Sequence, residues 1–333
     1  MKLQLSHNSE HVINLDRSVT DVIKLLSILM IASHHFFQTA LTRGDGGLFA
    51  SLYCSQAGYL GVALFFFLSG YGLAKSNQRH QMKFGEFINK RFLKIVLPMV
   101  LANLLWAVFC FVVVGKLNVL GLSLKLDVEN VPLGGVFCSL MAFCSNTGAY
   151  FDGTLWFIKV LLLLYIAFFV STCMKNKTKR LIVLALLTVG VVFFVSFFMK
   201  TWMAISVPLF MIGVCVADCP EFFRKHFWIF VFSFVAACVF IVLLFKQALV
   251  IHALINYLVV LAMITIAYYT NVKFVGVSAL VGVFSFDIYL THNKARMLTF
   301  ALWEHPSYWV YLLIMVVFTV IFHYLKRVIL PKY

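Results

Sequence analysis

Ten apolar runs separated by short polar stretches dominate this chain, at roughly 21–42, 59–75, 92–115, 155–174, 181–199, 203–217, 227–245, 250–270, 275–292 and 307–326. About 17–25 predominantly apolar residues in a helix suffice to cross a bilayer. The sixth run is short. Hydrophobic residues make up 63% of the sequence and charged residues 12%, where a soluble domain is nearer half and a quarter. A water-soluble core cannot hide that much apolar surface. The sequence therefore predicts an all-α, polytopic membrane bundle of about ten transmembrane helices, forming one integral membrane domain over residues 1–333. The stretch 133–148 is apolar but shorter and richer in small and polar residues, and it reads as re-entrant or interfacial.

Basic residues set the orientation, because loops on the cytoplasmic side of a membrane carry the excess of Lys and Arg. With both termini cytoplasmic, 19 of the 27 Lys and Arg residues fall in cytoplasmic segments. Residues 1–20 are then a cytoplasmic N-terminal segment and 327–333 a cytoplasmic tail. A full crossing at 133–148 would invert the bias of every later loop. The net charge of +15 is thus mostly a topological signal, and nucleic acid is not predicted as a partner. The eight cysteines form no C-x-x-C pair and no His/Cys metal spacing. No metal site is expected, and no cleavable leader is evident.

The first run, SILMIASHHFF at its centre, ends in the adjacent histidines His34 and His35. Ionisable groups inside a membrane face cavities or pathways more often than lipid. Lys24 and His35 are eleven residues apart, which in an α-helix is about three turns and about 16 Å of rise. They share a face, whereas His34 points about 80° away from Lys24. The face so defined carries a cation at its cytoplasmic end and, deeper, an imidazole able to serve as a general base at neutral pH. His34, off that face, is read as packing or hydrogen-bonding between helices.

Several stretches, in order, resemble the acyltransferase-3 family of integral membrane acyltransferases. Lys24 and His35 match its first-helix pair of arginine, ten residues and histidine, with lysine in place of arginine; Asp21 stands where an acidic residue commonly precedes them. GYLGVALFFFLSGYGL resembles the second helix, with Ser69, Gly70 and Tyr71 at its turn. FINKRFLKIVLP resembles the basic lead-in to the third. TLWFIKVLLLLYI, VPLFMIGV and VFSFDIYLTHN resemble later motifs, the last with Ser285, Tyr289 and His292.

The resemblance implies transfer of an acyl group, often acetyl, from a cytoplasmic coenzyme A thioester (acetyl-CoA) to a hydroxyl of a cell-surface glycan or its lipid-linked precursor. Lys24, Lys90, Arg91 and Lys94 supply the positive charge for the anionic nucleotide end of coenzyme A. Lysine keeps the charge of the family's arginine but not its planar fork. His35 acts as general base or as acyl carrier. Ser69, Tyr71, Trp156 and Ser285 are the candidates for orienting the ring or stabilising the oxyanion. Asp152, in the loop before Trp156 with Asn146, and His292 are candidate acceptor contacts; a helix cap is the alternative role for His292. Lys159 and Asp287 are expected to pair. Membrane lipids surround the bundle, a homo-oligomer is compatible with the sequence, and a bacterial inner membrane is the expected location. A transporter or flippase for a glycan or small molecule shares the many spans and buried charges, but it does not predict the Lys24/His35 face. A non-catalytic membrane protein of the same fold is a third reading.

Overall fold

The computed structural model describes residues 2–7, 15–110, 152–244, 248–275 and 278–331. The helices are α1 (Arg17–Thr42), α2 (Leu48–Arg79), α3 (Phe84–Phe87), α4 (Lys94–Val108), α5 (Trp156–Ser171), α6 (Lys177–Phe198), α7 (Thr201–Ala204), α8 (Pro208–Asp218), α9 (Pro220–Leu244), α10 (Ala248–Tyr269), α11 (Ser278–Leu302) and α12 (Tyr308–Ile329). The expected segment 133–148, with Asn146, lies outside the described residues. Among those described, eight helical segments are long and apolar enough to cross a membrane. The other two expected spans fall on α9 and α11, each of 25 residues. The protein is thus an all-α polytopic membrane bundle. One addition to the helical reading is a short antiparallel pairing of β1 (Lys2–His7) with β2 (Thr270–Val275), Lys2 opposite Val275 and His7 opposite Thr270.

Large apolar side chains lie exposed along α6 (Leu186, Phe193, Phe197) and α12 (Leu313, Val317, Val320). Water would make such surfaces costly, whereas hydrocarbon accommodates them.

The chain divides into two compact units. The first comprises Met1–Ile31, Ser55–Met82 and Leu163–Ser285. Here α2 and α8 approach through reciprocal glycines. A Cβ built on Gly70 would stand 2.0 Å from the Phe210 carbonyl oxygen, and one on Gly213 would stand 2.1 Å from that of Phe67. Small residues at membrane helix crossings permit this backbone approach, and Phe66, Phe67 and Phe210 are fully buried around it. At the end of α8, the buried Asp218 carboxylate accepts from Gln78 Nε2 at 2.8 Å and from Arg180 Nη2 at 2.5 Å.

The second unit comprises Ala32–Cys54, Lys83–Leu162 and Phe286–Tyr333. Between α3 and α4 the chain makes one widened π turn, Ile88–Leu93. Pro98 lies one turn into α4. A proline inside a helix lacks an N–H and crowds the carbonyl four residues back, here that of Lys94, and a π turn beside it is one of the recognised local answers. The sealed Tyr311 hydroxyl of α12 donates to the Ala32 carbonyl at 3.1 Å and the His292 carbonyl at 3.4 Å. One side chain thereby ties α12 to both α1 and α11. Buried Asp287 pairs with His323 Nδ1 at 2.6 Å and with Lys326, both on α12. His323 and Lys326 are three residues apart and so share a helix face.

Candidate active site

The second unit gathers three of the expected site residues. α1 presents His35, the turn before α5 presents Asp152, and α11 presents His292. The rings of His35 and His292 stack with centroids 5.5 Å apart and planes 27° from parallel. His34 meets His35 edge-on at 5.2 Å. It is half-buried, its main-chain carbonyl accepts from the Cys54 thiol at 3.5 Å, and its Nδ1, like one nitrogen of His292, is buried without a partner among the described residues.

The two stacked histidines differ in their surroundings. His35 is half-buried. His292 has no exposed surface, and its Nδ1 lies 2.7 Å from the Tyr289 carbonyl oxygen. A carbonyl only accepts, so Nδ1 carries the proton and Nε2 presents its lone pair in the neutral ring. That Nε2 is buried with no hydrogen-bond partner among the described residues. The Tyr289 hydroxyl donates to the Thr154 carbonyl at 2.7 Å, and the Tyr289 ring lies 5.7 Å from that of His292. The helix-cap alternative for His292 does not hold, since α11 continues ten residues further, to Leu302.

Asp152 is the anchor behind the rings. It is buried and caps a 3-10 turn, Gly153–Leu155. Its Oδ1 accepts from Thr154 N at 3.0 Å, Thr154 Oγ1 at 2.5 Å and Asn293 Nδ2 at 2.7 Å. Its Oδ2 accepts from Lys294 Nζ at 2.8 Å, and Lys294 also donates to the Leu290 carbonyl at 2.9 Å. Asn293 Oδ1 accepts from Arg296 Nε at 2.8 Å, Arg296 Nη1 donates to Thr39 Oγ1, and Thr39 Oγ1 donates to the His35 carbonyl at 3.0 Å. A continuous polar chain therefore runs from the Asp152 turn, through α11, to the turn of α1 that carries His35. In this arrangement Asp152 is a buried scaffold for α11 rather than a polar loop residue.

The sequence assigned no site role to Asn293, Lys294, Arg296 or Thr39, because the ninth expected span ends at residue 292 and leaves Lys294 and Arg296 beyond it. The signal was there: no glycine or proline interrupts the chain between His292 and Pro306, so nothing local stops the helix.

The remaining expected residues have their own settings. In the first unit, Lys24 Nζ donates to Asp21 Oδ1 at 3.1 Å, and Arg17 reaches the other carboxylate oxygen at 3.7 Å. α1 is unbroken from Arg17 to Thr42, so the eleven-residue helical spacing of Lys24 and His35 is kept. The Tyr71 hydroxyl, buried in the same unit, accepts from Leu15 N at 3.1 Å. Ser69 is half-buried and Ser285 buried. In the second unit, Lys90 and Lys94 are exposed and Arg91 half-buried, on or beside the π turn, with Lys90 paired to Glu86 at 2.5 Å. Trp156 opens α5 and is half-buried.

The Acyl_transf_3 family model, described as an acyltransferase domain, matches residues 19–327. Comparison with curated proteins gives no match, and comparison with solved structures gives none.

Proposed function

We propose, since the chain belongs to the Acyl_transf_3 family of acyltransferase domains, that this membrane acyltransferase moves an acyl group, acetyl in the first instance, from a cytoplasmic coenzyme A thioester to a hydroxyl of a cell-surface or lipid-linked glycan. His35 is the reacting group. The observation that carries this reading is the half-buried His35 ring stacked on the sealed His292, on a helix turn tied through Thr39 and Arg296 to the Asp152 anchor. A ring held in a fixed orientation by its neighbours is the geometry a base or nucleophile needs.

In this scheme Lys24 and the basic group Lys90, Arg91 and Lys94 bind the phosphates of the donor. Arg17 also reaches Asp21, at 3.7 Å, so the carboxylate keeps a cation beside it when Lys24 turns to phosphate. Ser69, Tyr71, Trp156 and Ser285 are proposed to orient or stabilise the reacting carbonyl. Asp152 and His292 are proposed on the acceptor side, Asp152 through its hold on α11. The membrane is proposed to be the bacterial inner membrane.

The test uses membranes carrying the full chain, acetyl-CoA labelled in its acyl group, and mass spectrometry of the surface glycan. Wild type and His34→Ala are expected to transfer label, and His35→Ala to fall to background. Equal transfer by His35→Ala would remove His35 from the chemistry. Movement of a glycan with no thioester consumed would replace the enzyme with a transporter.

A further inference from the structure

Two mechanisms fit a single reactive histidine. In one, His35 takes the proton of the acceptor while the hydroxyl attacks the thioester directly. In the other, His35 first carries the acyl group itself. The second is served by another base, because acylation draws electron density from the ring and leaves its remaining nitrogen far less basic than that of a free imidazole.

The structure supplies a candidate. His292 stacks on His35, its Nδ1 proton is held by the Tyr289 carbonyl, and its Nε2 is buried without a partner among the described residues. Most buried polar atoms in folded proteins are paired, and an exception calls for a reason. Stacking alone does not supply one: a phenylalanine would offer the same ring without an orphaned nitrogen, and this chain holds 36 of them. The carbonyl bond also selects the tautomer whose free nitrogen can receive a proton.

Resting on the proposed function above, we infer that His292 is a second catalytic histidine, the general base for the acceptor hydroxyl, in a two-step transfer that passes through an acyl group on His35. In the first step a His35 nitrogen attacks the thioester carbonyl. The C–N bond forms, the C–S bond breaks, and the departing thiolate takes up the proton that the acylated ring sheds. In the second step the acceptor oxygen attacks the acyl carbon while its proton passes to His292 Nε2. The C–N bond breaks, and His35 regains its proton from His292. Ester and thiol are the products, and both rings end neutral.

The experiment is single-turnover labelling of purified full-length protein with acyl-labelled acetyl-CoA, read by peptide mass spectrometry, followed by addition of the wild-type glycan fraction as acceptor. Wild type without acceptor is expected to hold label on His35 and to release it when acceptor is added. His292→Ala and His292→Asn are expected to acquire label at His35 and to release it about 10²–10⁴-fold more slowly, the span of a general base's contribution. Asn at 292 can still donate to the Tyr289 carbonyl, and it provides the reading where the alanine variant does not hold its fold. A purely structural role for His292 would depress labelling and release together. That outcome, unimpaired release, or wild-type protein that never carries label would each overturn the inference. His35→Ala separates the two claims. If it takes no label and transfers nothing while the His292 variants turn over normally, the proposed function stands and the second base falls.

Discussion

Replacing Asp152 by alanine is expected to destabilise the protein by about 3–5 kcal/mol, the usual consequence of stripping one partner from a buried ion pair. Lys294 is 3% exposed, so its ammonium would be left charged and without its carboxylate. Asn293 Nδ2, Thr154 N and Thr154 Oγ1 would lose the same acceptor, and the turn before α5 would lose its cap. Asp152→Asn keeps an oxygen for Thr154 but not the charge, and should fall between wild type and alanine. The double variant Asp152→Ala/Lys294→Met should recover part of the loss, because removing both charges removes the orphan. Thermal unfolding in detergent, followed for all four proteins, checks the order. An alanine variant as stable as wild type would mean that the pair anchors nothing.

Gly213→Ala is the second large effect. The new Cβ would stand 2.1 Å from the Phe67 carbonyl oxygen and 2.8 Å from Tyr71 N. Both are backbone atoms of α2, so no side-chain rotation clears them and the helices must separate. Overpacking of this kind typically costs about 1–3 kcal/mol, and the upper end is expected here because the obstacle is main chain. Gly70→Ala should behave alike, since it meets the Phe210 carbonyl from the other side of the crossing. Gly190, in α6, has nothing within 4 Å of an added Cβ. Its alanine variant should be neutral or gain up to about 1 kcal/mol from helix propensity. Equal behaviour of the three substitutions in the same unfolding assay would contradict the reading of the crossing.

The helices were legible because hydropathy acts locally: a long apolar run needs no knowledge of its neighbours to be read as a span. The candidate site was legible in part for the same reason, since His35 announces itself as an imidazole at the end of such a run. What the sequence concealed was paired charge. Lys294 and Arg296 look like residues beyond the end of a helix until Asp152, 142 residues earlier, is brought beside them. A buried cation with its counter-ion is compatible with the interior of a bundle, whereas the same cation alone marks a boundary. Asp287 likewise finds His323 and Lys326 on α12, partners that depth along the expected spans does not reveal. The His292 tautomer and its bare nitrogen follow from a main-chain carbonyl one turn back, a relation that residue identities do not encode.

The π turn at Ile88–Leu93 places one more residue in a helical turn than an α-helix would use. Everything downstream in α4 is therefore phased by about 100° from where an unbroken helix would have carried it. Deleting a residue from this turn would close the stutter and restore ordinary winding. It would also swing Lys90 and Arg91 around the axis relative to Trp106 and Ala102. The direction in which Trp106 and Ala102 face relative to Lys90 and Arg91 is thus set by an irregularity, and a straighter helix would change it.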